Sequence, residues 1–238
     1  AQGAMREVLD SENVRADPLG RRAFLRTTLL KRPTPETVAF VGERYQGATG
    51  TDKQTLGLAL GATAGLLARQ GKPELAARHL DGLRAELASA RDTTAKEHLL
   101  AALGNAGLEP YVPDVVRFTK DPEPLVRVQA LDALRKTTTP EVRSVVKQAA
   151  SDPDPRVVVA AVELLGGFDP DASERQAIID AVRQGRVPPR DLGTAIGALE
   201  RFVADPQVRA LFQWLSVQQA LDPSQRTRVR NLLEGVAP

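Results

Sequence analysis

Three aspartates, Asp121, Asp152 and Asp205, each stand directly before a proline. A row of carboxylates at repeating positions could bind cations or a substrate. The same placement suits helix N-capping, where an Asp side chain accepts backbone N–H bonds for about 0.5–2 kcal/mol per cap. Recurrence at a fixed period is what capping predicts, so these residues read as caps. Arg127, Arg156 and Arg209 recur just after them. In a stacked array such arginines can pair with aspartates of a neighbouring repeat and form a polar ladder. A ladder that grips phosphate or an acid is the alternative. The pairing reading is preferred, with each exposed pair contributing only about 0–1 kcal/mol.

The remaining chemistry-bearing residues are sparse. His79 and His98 are the two histidines, and neither has a second His or Cys at helical spacing. Both read as ordinary helix residues, and no metal site is expected. Trp214, with Phe212 nearby, could stack on a nucleic-acid base. The flanking Val208, Leu211 and Leu215 instead place it in an apolar stripe, so a core or capping contact near the end of the array is expected. Gly57, Gly61 and Gly65 form a ridge of small residues that predicts close helix–helix approach. Gly104 and Gly107 follow no strand and precede no Lys-Ser/Thr, so they form no phosphate loop. No nucleophile–histidine–acid order and no Gly-x-Ser-x-Gly occurs. Catalytic residues, cofactors and metals are therefore all expected to be absent, and the chain is expected not to be an enzyme.

Composition narrows the elements that carry these residues. The chain has 238 residues, no cysteine, 42% hydrophobic residues and only 4% aromatics. Disulfides and thiolate chemistry are excluded. A core of Ala, Leu and Val favours close-packed helices. Charge is nearly balanced, 32 basic against 30 acidic residues, and Arg outnumbers Lys 25 to 7. The isoelectric point near 9.1 therefore gives little support for nucleic-acid binding. The longest uncharged run, Gln54 to Ala68, is shorter than the ~18–20 apolar residues of a spanning helix. Residues 1–5 read as a protease-cleavage and cloning scar, and 6–238 as a single helical-repeat domain. Compartment is left open.

Proline and glycine punctuate the chain evenly, and apolar residues recur at i, i+3, i+4 and i+7 between the breaks. Helices are expected over Pro18–Lys31 (capped by Asp17), Pro35–Tyr45 (capped by Thr34), Asp52–Gln70, Pro73–Arg91 and Thr94–Asn105, with Gly107 as a C-cap. Further helices are expected over Pro110–Thr119, Glu123–Lys136, Pro140–Ala150, Pro155–Leu165, Ala172–Gln184, Pro189–Val203, Pro206–Ala220 and Ser224–Val236. Strand signals are nearly absent.

The segment Lys120–Leu134 aligns with Ser151–Leu165 at an offset of 31 residues, with a looser echo at Ala204–Arg209. Each copy opens on Asp-Pro and then places Val, Ala and Leu on one face. A two-helix unit at such a period signals a solenoid, because one pair cannot bury its apolar face alone. The pattern Asp-Pro-x-(Pro)-x-Val-Arg-x-x-Ala-x-x-x-Leu resembles the second helix of a HEAT-type repeat, at least over Glu109–Leu165. The fold expected is all-α: an α–α superhelix, or solenoid, of about six HEAT-like helix pairs, most regular over 109–166. A narrower resemblance runs through Leu58–Gly61, Leu99–Leu108, Pro124–Leu134, Pro140–Val142 and Pro155–Val157. It is similar to the α-helical domain of the large lipid transfer proteins, the vitellogenin and microsomal triglyceride transfer group. In that family the lipid cavity is made largely by β-sheets. The resemblance therefore implies a wrapping module with no catalytic residues, which would hold lipid only beside a β-rich part that this sequence lacks.

The leading expectation is a non-enzymatic scaffold whose concave face binds a protein segment or packs on another domain. The second helix of each pair lines that face, which selects Gln129, Asp132, Arg135, Lys136 and Glu163 as the partner-binding residues. Mixed charge there suits a protein better than nucleic acid. The lipid resemblance refines this reading to the helical module of a bacterial lipid-transfer-like or lipoprotein-associated protein. The alternative is a HEAT-like DNA-binding protein or DNA glycosylase, which would need aromatics and a carboxylate in a basic groove.

Overall fold

A computed structural model describes residues 33–235. The helix expected over Pro18–Lys31, with its Asp17 cap, lies outside them. The described residues hold twelve α-helices and no strand, in agreement with the all-α expectation. They divide into two compact units between Val115 and Val116.

Unit 1 holds α1 (Pro35–Gly47), α2 (Gly50–Arg69), α3 (Pro73–Ser89), α4 (Thr93–Ala106) and a 3-10 turn at Glu109–Tyr111. Helix α5 (Val112–Val116) spans the division. The starts follow the sequence signals. Thr34 caps α1 by accepting the Thr37 N–H at 3.2 Å, with Pro35 in the first turn. Asp92 caps α4 through the N–H groups of Thr94 and Ala95. Gly107 ends α4 in the left-handed region, φ 59°, which glycine adopts at no steric cost.

Helix α2 packs on α1, α3 and α4. Its glycines decide how closely. A Cβ added at Gly61 would lie 1.8 Å from the Ala102 carbonyl oxygen, and one at Gly65 2.3 Å from that of Ala106. The expected ridge of small residues therefore serves a backbone-to-backbone seam between α2 and α4. Arg69 Nη1 donates to the Ala106 carbonyl across that seam at 2.9 Å. Leu67, Leu80, Leu83, Leu87 and Leu100 are fully buried around it, each contributing about 1.5–3 kcal/mol.

Unit 2 opens on a 3-10 turn (Arg117–Lys120). It continues through α6 (Pro124–Ala133), α7 (Pro140–Ala149), α8 (Pro155–Gly167), α9 (Ala172–Arg183), α10 (Leu192–Leu199), α11 (Pro206–Ser216) and α12 (Pro223–Glu234). Helix α8 is the centre: Val157, Val158, Ala161, Val162 and Leu165 are wholly buried, and α8 packs on α6, α7 and α10. Two expected helices are broken. Pro110–Thr119 becomes a 3-10 turn, the short α5 and a second 3-10 turn; Pro189–Val203 becomes α10 between two 3-10 turns. Pro113 lies inside the first segment and removes a backbone donor there, so that segment holds mixed turns rather than one helix.

Candidate functional site

The recurrent aspartates act in two ways. Asp205 caps α11, its carboxylate accepting the Gln207 N–H at 2.9 Å. Asp121 and Asp152 do not occupy cap positions, contrary to expectation. In both copies a second proline follows, Pro124 or Pro155, and the helix starts there. The cap position moves to Glu123 and Asp154. Asp121 and Asp152 instead shape the approaching turn by accepting the N–H two residues on, at 3.0 and 2.8 Å.

One of the three recurrent arginines makes the expected bond to the next repeat. Arg127 grips Asp152 with two hydrogen bonds, Nε–Oδ2 2.9 Å and Nη2–Oδ1 2.7 Å, with both side chains only 11% exposed. Its Nη1 also donates to the carbonyls of Asp121 and Pro122. Exposed Arg156 turns back on its own half-buried Asp154, pulling that carboxylate down to about 2 through the guanidinium hydrogen bond. Arg209 donates to the Leu233 carbonyl. The ladder continues through residues outside the repeated motif. Arg143 holds Glu174 and the Phe168 and Asp169 carbonyls. Arg175 holds Asp205 and the Pro170 carbonyl. Each of these three arginines thus joins a carboxylate of the following turn to loop carbonyls, a planar task suited to guanidinium. With its carboxylates so occupied, the ladder is structural.

The residues expected to meet a partner sit on α6, on the turn after it, and on α8. Asp132, Arg135, Lys136 and Glu163 are exposed, and Gln129 is half-buried. Asp132 and Glu163 hold the same position in the two aligned copies. Around Asp132 the side chains are locally engaged: Arg135 Nη1 donates to its carboxylate at 2.8 Å and Gln129 Nε2 at 3.3 Å. Two turns before Asp132 on α6, Leu125 is 45% exposed.

Trp214 corrects the stripe reading. Val208, Leu211, Phe212 and Leu215 are buried as expected, but Trp214 is 39% exposed and faces away from that stripe with Val217. One residue before buried Leu215, its position is rotated by about 100° around the axis of α11 from that side chain, off the buried side.

Unit 1 carries a feature with no sequence signal. Tyr45 donates its hydroxyl to Glu86 at 2.9 Å, and Lys53 meets the same carboxylate oxygen at 2.9 Å while lying 5.0 Å from the Tyr45 ring centre. Beside this cluster is a hollow of about 250 Å³, lined also by Gly57, His98 and Ala102. Burial, and then Glu86, push the Tyr45 hydroxyl well above the usual phenol range. Tyr111 repeats the arrangement with Asp81 and Arg84, and burial pushes it up to about 12. His98 lines the hollow. His79 packs over Gly42, where burial lowers its pKa. Among the described residues no group of three His, Cys, Asp or Glu could hold a metal, and no helix is long and apolar enough to cross a membrane.

Residues 80–166 match the family model for HEAT repeats, from within α3 to near the end of α8. That window contains the aligned copies on which the sequence resemblance rests. No curated protein matches the chain. The HEAT similarity and the paired helices support a helical-repeat protein of the scaffold type, a class that is typically not catalytic. Leu103–Gly107, within the Leu99–Leu108 segment of the lipid-transfer resemblance, has a packing role here. Asn105 Nδ2 reaches the Leu58 carbonyl at 3.5 Å across the α2–α4 seam, and Gly107 ends α4.

Proposed function

We propose that this chain is a non-enzymatic scaffold that binds a protein segment, or packs on another domain, through the concave face that α6 and α8 would form. Gln129, Asp132, Arg135, Lys136 and Glu163 make the contact. The observation that carries this reading is the exposed pair Asp132 and Glu163. These carboxylates recur at one repeat position, while the opposite side of both helices is buried. A stacked repeat offers a partner the same chemistry at successive steps. Exposed Leu125 adds apolar surface beside that row.

The test is affinity capture from lysate of the source cells, with protein and lipid both detected. The Asp132→Arg/Glu163→Arg double variant is the control. Both positions are exposed, so the variant keeps its fold, and captured protein should fall about tenfold or more, as for charge reversal at an interface. Undiminished capture sinks this surface assignment. The lipid-transfer resemblance supports a narrower form, in which the chain is the helical module of a lipid-transfer-like protein. Co-purified lipid, and a β-rich region elsewhere in the parent reading frame, are its expected results; a parent frame without such a region removes it. Tight, salt-sensitive retention of duplex DNA would favour the DNA-binding alternative instead.

A further inference from the structure

The hollow of unit 1 has a chemistry of its own. Its floor is apolar: the Tyr45 ring, Gly57, Leu99 and Ala102. It exists because small residues stand where side chains would fill it. Gly57 faces the Tyr45 ring, where an added Cβ would come within 3.1 Å, and Ala95 and Ala102 line the α4 wall. At about 250 Å³ it exceeds the ~150 Å³ that accommodates a benzene ring in an engineered cavity.

The charges at its rim are already engaged. Glu86 accepts from both the Tyr45 hydroxyl and Lys53. Asp92 accepts the N–H groups of Thr94 and Ala95. A phosphate would have to take Lys53 from Glu86, and a cation would have to displace existing donors. Two half-buried polar side chains lining the hollow have no hydrogen-bond partner among the described residues: Gln54 on α2 and His98 on α4. Each both donates and accepts, as an amide does. The matching ligand is neutral, bears one large apolar group and carries amides beside it.

We propose that this hollow receives one large apolar side chain, Phe, Leu or Met, of an extended peptide, with Gln54 and His98 bonding the flanking peptide amides. The ligand class rests on the scaffold reading, since it takes the ligand to be a protein segment. The site is independent of α6 and α8.

The test is selection of random linear peptides displayed on phage against the full chain. The Ala95→Phe variant fills the hollow from a half-buried position and is compared with the wild type only after selection. Selected peptides should share one large apolar residue. They should bind Ala95→Phe about tenfold or more weaker, the loss expected when such a side chain is no longer buried. Gln54→Leu keeps the floor apolar but removes the amide contact, and should weaken binding several-fold while leaving the thermal midpoint unchanged. Peptides without a common apolar residue, or equal binding to wild type and both variants, overturn the proposal. The two readings fail separately. Loss of peptide binding in Asp132→Arg/Glu163→Arg alone removes the hollow and keeps the face; loss in Ala95→Phe and Gln54→Leu alone supports the hollow, and the face then stands or falls on the lysate capture.

Discussion

In unit 1 the buried polar locks are phenols. Tyr45 donates to Glu86 and Tyr111 to Asp81, with both carboxylates on α3 and a cation beside each ring. In unit 2 they are guanidiniums, with Arg127, Arg143 and Arg175 each holding a carboxylate and loop carbonyls. The apolar contacts differ as well. Unit 1 brings α2 and α4 together backbone to backbone through Gly61 and Gly65, while unit 2 has one close glycine approach, Gly166 against Ala198 between α8 and α10, and otherwise meets through Val, Ile and Leu side chains. One kind of helix pair is thus closed by two kinds of fastening. A glycine seam has almost no room to relax, whereas a side-chain interface repacks. A phenol donates only while protonated, whereas an arginine keeps its charge at every accessible pH.

The largest test of this contrast is Gly61→Ala. The new Cβ meets the Ala102 carbonyl, which cannot swing aside, and unit 1 should lose about 3 kcal/mol or more. Gly82→Ala, on an exposed part of α3 with nothing near its Cβ, should instead gain about 0.5–1 kcal/mol. Urea unfolding followed by hydrogen exchange across both units measures each. Equal small effects would mean that the seam is soft.

Next in size is Arg127→Met, which leaves Asp152 poorly paired in a half-closed site. A loss of about 2 kcal/mol is expected, confined to unit 2. Arg156→Met removes a pair whose arginine is 52% exposed, and should cost less than about 0.5 kcal/mol. Matching losses would break the distinction between ladder and surface pair.

The smallest effect is one of pH. Both tyrosines of the chain lie in unit 1 and are raised by burial first. A raised phenol gives stability that is full below its unfolded value of about 10 and fades as pH climbs toward the folded value. Unit 1 should therefore lose exchange protection first above about pH 10. Asp171 and Asp205 are held low mainly by backbone N–H bonds, and Asp154 mainly by Arg156. Lowered carboxylates give stability above their unfolded value, lost as pH falls through the folded one. Acid should then weaken unit 2, where these three lie, from about pH 4 downward. Unit 2 leading the loss at high pH would reverse the comparison.

Five of the twelve described helices were legible because proline marks their first turn: Pro35, Pro73, Pro140, Pro155 and Pro206 each open an element as read. The glycine ridge was legible from its spacing. The full ladder was not. Arg143 and Arg175 fall outside the 31-residue motif, and their carboxylates lie 31 and 30 residues on, a separation with no local signature. The doubled proline displaced the caps, since Pro at the first helical position outranks an upstream Asp. Trp214 was misplaced because one residue of helix phase separates a buried from an exposed position. The hollow draws on four helices and the turn before α4, from Tyr45 to Ala102, and no spacing rule collects them.

Trp214 also gives the molecule an uneven optical signature. It is the single indole, and it stands half in water on α11. Its emission should be red-shifted and quenched by iodide in the folded state. Fluorescence excited at the indole band therefore reports on unit 2, while melting of unit 1 passes almost unseen unless the tyrosines are followed in the ultraviolet.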